Sequence, residues 1–157
     1  MARSSMVVLA SLAAVSLVVA GCSSTAVPAP RVADASGQSL EVELGTFFFK
    51  ADPIVLKAGD RVTLKLDNKS AIEHEFMAGR TSVASGGYAE DLFKDVKVEV
   101  VGDKTVGDHG ASFGVLVAAG KTAQLRFTVP VAQGTYEIGC FLPGHYQAGM
   151  KGKLVIE

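Results

Sequence analysis

The chain reads as all-β: an antiparallel sandwich or small barrel of about seven to eight short strands over roughly 120 residues. Three observations predict this. Apolar residues recur with a period of two through most of the chain beyond residue 38. Clusters of Gly, Asp and Asn interrupt that alternation at short intervals, as turns between strands do. No long stretch has the helical period; at most, Ala89 to Lys94 suggests one turn of helix.

Taken in order, Leu40 to Lys50 is strand-like without clean alternation, and Phe47-Phe48-Phe49 suggests a bulge or a strand buried on both faces. Ile54 and Leu56 make a short strand before the turn Gly59-Asp60. Val62, Leu64 and Leu66 alternate with Arg61, Thr63, Lys65 and Asp67, and a turn is expected at Asp67-Asn68. In Ala71 to Met77, Ile72, His74 and Phe76 share one face, while Glu73 and Glu75 share the other, which reads as the solvated side. Met77 falls on that second face, as packing or surface. Ser85-Gly86-Gly87-Tyr88 reads as a plain turn, because a phosphate loop needs a Lys-Ser/Thr follow-on and a helix to cap. Val96, Val98 and Val100 form a further alternating set, then Phe113, Val115 and Val117, then Ala123, Leu125, Phe127 and Val129. Turns are expected at Gly102-Asp103, Ala119-Gly120 and Gln133-Gly134, and His109 falls in a polar turn as a surface residue. Tyr136, Ile138 and Cys140 share a core-facing phase, as do Met150, Leu154 and Ile156, with Lys151 and Lys153 outward.

Composition fits one globular domain: 157 residues, 48 % hydrophobic and 20 % charged, with a formal net charge of -1. No basic run is present to neutralise phosphates, so nucleic acid is excluded as a partner. The N-terminus reads as an address. Met6 to Ala20 is an uninterrupted run of 15 apolar and small residues, too short to span a bilayer and suited to the apolar region of a secretory signal. It ends in Val19-Ala20-Gly21-Cys22, small residues before a Cys, which resembles a bacterial lipobox. The expected organisation is a lipoprotein signal peptide over 1–21, a Ser/Ala/Pro-rich tether over 22–37 and one domain over 38–157. A lipidated Cys22 anchors the chain without spanning, since each buried methylene contributes about 0.8 kcal/mol. The domain is then expected outside the cytoplasm of a bacterium, on a periplasmic or extracellular membrane face.

That reading makes the cysteines informative. Exported cysteines usually pair. With Cys22 acylated, Cys140 has no partner within the chain, and a metal is the obvious occupant of its thiol. Cys140 lies in Cys140-Phe141-Leu142-Pro143-Gly144-His145-Tyr146-Gln147-Ala148-Gly149-Met150, a thiol, an imidazole and a thioether with four residues between successive donors. Alone, a Cys, a Met or a core-facing His is more often packing than ligand. Together, with His74 as the fourth donor, they form a set that selects copper, and a copper that changes oxidation state without binding substrate. Zinc has little use for the thioether.

The stretch Gly134 to Glu157, with Glu73-His74-Glu75-Phe76, resembles a cupredoxin (type 1, blue copper) domain. Cys140, His145 and Met150 match the family's C-terminal ligand loop, and His74 its upstream ligand. The resemblance implies a cupredoxin-like, eight-stranded Greek-key β-sandwich, one copper per chain, and outer-sphere electron transfer. The chain departs from the family in carrying Glu75 where many members have Asn or Ser beside the upstream His. A long, Gly-rich segment from Arg80 to Gly110 also matches none of the well-characterised carriers.

The expectation is a monomeric, membrane-tethered electron carrier rather than an enzyme, exchanging electrons with redox proteins of the cell envelope. Phe141, Leu142, Pro143, Tyr146 and Ala148 are expected to surround His145 with an apolar docking patch. A copper delivery or sequestration protein is the alternative; it normally offers Met- or His-rich tracts, which this chain lacks, two of its four Met lying in the signal. Multicopper oxidation needs more than the three His present. The anchor is directly testable: a fatty-acid label supplied to the native host should be incorporated into the protein and lost in Cys22→Ala, and retention of label in the variant would refute acylation at Cys22.

Overall fold

Alternating side chains give each strand one apolar face, and two such faces close on each other. The computed structural model describes residues 37–157 apart from 52, 103–104 and 110–111, with the backbone alone for 105–109. The signal peptide, Cys22, nearly all of the tether and Asp103 therefore lie outside the described residues. In chain order the strands are β1 (Gln38–Gly45), β2 (Phe48–Lys50), β3 (Ile54–Leu56), β4 (Arg61–Asn68), β5 (His74–Ser82), β6 (Tyr88–Asp91), β7 (Glu99–Gly102), β8 (Thr105–His109), β9 (Ser112–Val117), β10 (Thr122–Thr128), β11 (Gly134–Gly139) and β12 (Lys151–Ile156). One sheet runs β2-β1-β4-β10-β7 and the other β3-β12-β11-β5-β9-β8, with β6 also paired to β5. The fold is an all-β sandwich, and no helix occurs among the described residues.

The core lies between the sheets. Val42, Leu44, Leu64, Leu66 and Leu125 from the first meet Phe76, Val115, Ile138 and Leu154 from the second, all fully buried. Each such side chain contributes about 1.5–3 kcal/mol by leaving water. Aromatic contacts bridge the sheets: Phe49 meets Phe76 edge-on at 6.0 Å, and Phe93 meets Phe127 at 5.2 Å.

Several elements differ from the sequence expectation, each for a physical reason. Twelve short strands replace about seven or eight, in part because 80–110 adds β6 and β8 and because β1 and β2 are separate. Phe47-Phe48-Phe49 is a tight hairpin rather than a bulge: Gly45 faces Phe48 across a Thr46-Phe47 turn, and Phe47 takes φ 64. Gly45 is needed there, since the Phe48 ring occupies the space a Cβ would fill. The sheets are not wholly antiparallel; β1 runs parallel to β4, and β3 to β12. Val96 and Val98 pack on the core from a loop, leaving β7 to begin at Glu99. Ala89 to Lys94 contains no helical turn. Asp91 ends β6 and its Oδ1 accepts from Phe93 N at 2.9 Å, turning the chain after two residues. His109 ends β8 opposite Ser112 rather than lying in a turn. Gly134 likewise opens β11.

The expected turn at Asp67-Asn68 is displaced by the most consequential of these differences. β4 runs through Asn68, which is fully buried. Its Nδ2 donates to the carbonyls of Ile72 (2.8 Å), Val117 (2.9 Å) and Ala118 (3.1 Å), and its Oδ1 accepts from Ser70 N at 3.0 Å. One amide thus shapes the loop leading to His74 and ties it to the end of β9, the strand His74 pairs with. Asn68→Ala takes the donor from the buried Val117 carbonyl and frees the loop before His74, and should cost about 1–3 kcal/mol, read as a lowered denaturant midpoint. An unchanged midpoint would show that water serves that carbonyl equally well.

Candidate metal centre

The four sequence-predicted donors sit at strand ends rather than inside strands. His74 is the first residue of β5, Cys140 follows β11, Met150 precedes β12, and His145 lies in the loop between the last two. Backbone bonds explain the spacing of that loop. Cys140 N donates to Met150 O at 3.1 Å, so the outer donors are neighbours where the loop closes. His145 N donates to Leu142 O (3.0 Å), Ala148 N to Gly144 O (2.9 Å) and Met150 N to His145 O (3.0 Å), winding the chain so that His145 turns back over its ends. The winding needs left-handed backbone at Gly144 (φ 84) and Gly149 (φ 101), where a side chain would be strained.

The donors converge. Cys140 Sγ and His145 Nδ1 lie 3.2 Å apart, as do His74 Nδ1 and His145 Nδ1, and the three ligating atoms all fall within 4.8 Å of one another. Among the described residues this is the one group of three His, Cys, Asp or Glu that gathers in this way. His74, Cys140 and Met150 are fully buried, while His145 is half-buried. With His74 Nδ1 facing another imidazole nitrogen, His74 Nε2 is buried without a hydrogen-bond partner. Polar atoms are seldom left so. Two imidazole nitrogens and a sulfur gathered within 4.8 Å make a donor set of the kind copper takes, and the residues present fit copper.

Electrostatics agree. Burial, then the nearby His145, pushes His74 from 6.5 down to about 4, and burial also lowers His145. Both imidazoles are therefore neutral donors at pH 7. Burial raises the Cys140 thiol, while the Glu75 backbone N–H, donating to Sγ at 3.3 Å, pulls the other way by favouring the thiolate. Metal uptake at neutral pH thus displaces chiefly the thiol proton.

Glu73 is exposed as expected, but Glu75 is fully buried and corrects the reading of both as a solvated face. That side of the sheet is covered by β6 and the turn before it; Met77, Tyr88 and Ser112 are buried there as well. Glu75 fits because Gly114 has no Cβ, which would lie 2.7 Å from Oε1. Its Oε2 accepts from Phe141 N at 3.3 Å, so Glu75 holds the thiol through its backbone and the next residue through its side chain. Sequence reasoning also missed Phe47, whose ring meets His145 edge-on at 5.0 Å; the run of three Phe was the available signal. Ser85 to Gly87 does form a plain turn, closed by Val83 N to Gly87 O at 3.0 Å.

Comparison with known proteins agrees with this geometry. Residues 36–157 match the copper binding proteins of the plastocyanin/azurin family. The chain belongs to that family, the cupredoxins. Relatives include the copper-resistant cuproprotein CopI of Pseudomonas aeruginosa, 31 % identical over 151 residues, spanning 82 % of this chain and 81 % of that protein. Another is Auracyanin-A of Chloroflexus aurantiacus, 28 % identical over 167 residues and 96 % of each chain. Among solved structures, auracyanin B superposes with a TM-score of 0.55 at 25 % identity, covering 76 % of this chain and 88 % of that one. A multicopper oxidase from Campylobacter jejuni shares the fold alone, with a TM-score of 0.52 at 13 % identity over 30 % of its chain and 76 % of this one. Copper is the metal of this cupredoxin; His74, Cys140 and His145 gather in a single site, and Met150 lies beside Cys140 where the loop closes.

The depressed His74 predicts how the metal-free protein responds to acid. The unfolded chain binds its proton near 6.5 and the folded one only near 4, so stability is complete above 6.5 and is lost as pH falls toward 4. The loss from this residue should be on the order of 3 kcal/mol, and His145 adds to it with the same sign. Denaturant midpoints of apo-protein across that range should fall, less steeply in His74→Gln; equal slopes would remove His74 as the cause.

Proposed function

We propose that this cupredoxin is a mononuclear type 1 copper electron carrier. In this reading His74, Cys140 and His145 would hold the copper with Met150 as a weaker fourth donor, and a lipidated Cys22 holds the domain to a bacterial membrane outside the cytoplasm. The observation that carries the reading is burial. Three of the four donors are inaccessible and held by strand ends, while one imidazole reaches the surface. Bound copper supplies a one-electron couple. The chain keeps its donors in one arrangement through both oxidation states, so little has to move when an electron passes.

The exposed part of the site is apolar. Phe47 is 38 % exposed against the His145 ring, and Leu142, Pro143 and Ala148 lie in the same loop. Such a surface suits brief docking of redox proteins in the cell envelope, with His145 as the point of electron entry. In this reading the acyl chains of Cys22 attach the chain to the membrane; no helix among the described residues is long and apolar enough to cross one.

Copper handling is the second reading, favoured by relatives that carry the name copper-resistant cuproprotein. The two separate on one experiment. Protein loaded with Cu(II) should give an intense thiolate-to-copper band and a narrow copper hyperfine splitting, both abolished in Cys140→Ser, together with a reversible one-electron couple. Tight Cu(I) binding without that band or couple would move the assignment to copper delivery or sequestration.

A further inference from the structure

The segment between β5 and β7 adds a piece of structure that the copper ligands do not require, and its buried anchor is Tyr88. Tyr88 is 2 % exposed and lies across the outer face of the sheet, in a slot made by two glycines. A Cβ at Gly79 would come 2.5 Å from the Tyr88 Cβ, and one at Gly139 would come 2.6 Å from its hydroxyl. Those glycines lie on adjacent strands, Gly79 opposite Glu137 and Gly139 opposite Met77. Ser112 fixes the Tyr88 backbone from the other side, its Oγ accepting from Tyr88 N at 3.0 Å and donating to Tyr88 O at 2.9 Å.

From that slot Tyr88 touches the loop beside Cys140 and reaches the residue beside His145 through Phe141 and Glu137. Its ring meets Phe141, the residue after Cys140, edge-on at 5.1 Å. Phe141 in turn stacks on Tyr146, the residue after His145, at 4.6 Å and 13°. Both phenols donate to the same Glu137 Oε1, Tyr88 at 3.3 Å and Tyr146 at 2.6 Å. Bonds of this kind to a carboxylate are stronger than neutral ones, and aromatic pairs add to them.

We propose that Tyr88 is a positioning residue for the copper loop, bracing Cys140 and His145 from outside the sandwich through Phe141, Glu137 and Tyr146. The inference rests on the reading of that loop as the copper site. The inserted segment then has a role of its own, which is to stiffen the loop from its outer side. Tyr88 touches neither ligand, so its effect on them is transmitted through the residues that follow each.

The test uses the full chain and two readouts. In metal-free protein, iodoacetamide labelling located at Cys140 by peptide mass spectrometry reports how often the loop opens. Tyr88→Phe keeps the ring and removes the hydroxyl, and should raise that rate at least about tenfold with global stability measured in parallel. Glu137→Gln keeps an acceptor oxygen and should fall between wild type and Tyr88→Phe. In Cu(II)-loaded protein, Tyr88→Phe should shift the thiolate-to-copper band and broaden the hyperfine splitting, changes that a purely structural residue would not produce. Wild-type labelling and spectrum in Tyr88→Phe would overturn the brace. A wild-type protein that binds no copper would instead overturn the copper reading, while the labelling rates would still decide whether Tyr88 holds the loop.

Discussion

Much of the site depends on one backbone hydrogen bond, from Cys140 N to Met150 O. It closes the loop between β11 and β12, and so converts a spacing in sequence into a cluster in space. With the ends joined, His145 has one place to go, above the thiol. The bond is itself held by the pairing of β11 with β12, which continues in register from Gly139 opposite Lys151 to Gly134 opposite Ile156. Ladder and loop share their last bond, so the ladder holds the two ends of the loop together.

The fourth donor arrives by a different route. His74 is brought by β5, which pairs with β11 on one side and with β9 on the other. Asn68 sets the approach to it, and Glu75, one residue on, bonds the thiol and the Phe141 amide. The two halves of the site are thus joined through Glu75, by one bond to the Cys140 sulfur and one to the amide that follows it. A scaffold arranged like this can hold crowded, neutral imidazoles beside a thiol at a cost in stability that the surrounding core offsets.

How much could be read in advance varied with the kind of signal. Period-two alternation located β4 and β10, because each has one wetter and one dry face; it located β9 too, although both faces of that strand are covered. The copper donors were legible because their spacing matches a short closed loop and their chemistry is rare in combination. The face of β5 was not. Alternation says only that Glu75 and Met77 point away from Phe76, and a face away from the core is normally wet. Here a later segment folds over it, and nothing near Glu75 in the sequence announces Tyr88. Asn68 was misread for a related reason: its type is common in turns, but a buried amide that bonds three carbonyls serves a strand end equally well. The hairpin at Phe47 was hidden by its own hydrophobicity, since turns are seldom aromatic.

The unequal exposure of the four donors has a consequence for traffic. His74, Cys140 and Met150 are sealed, and His145 is the one donor with a face toward solvent. Any reagent that reaches the site, whether a redox protein, a chelator or an oxidant, must therefore use the same doorway, framed by Phe47 and the loop around His145. A docked partner occupies that doorway and excludes the rest. In the proposed electron carrier, metal retention and exchange with a partner are then coupled through competition for one small area, and a chain kept busy is also a chain protected from losing its copper.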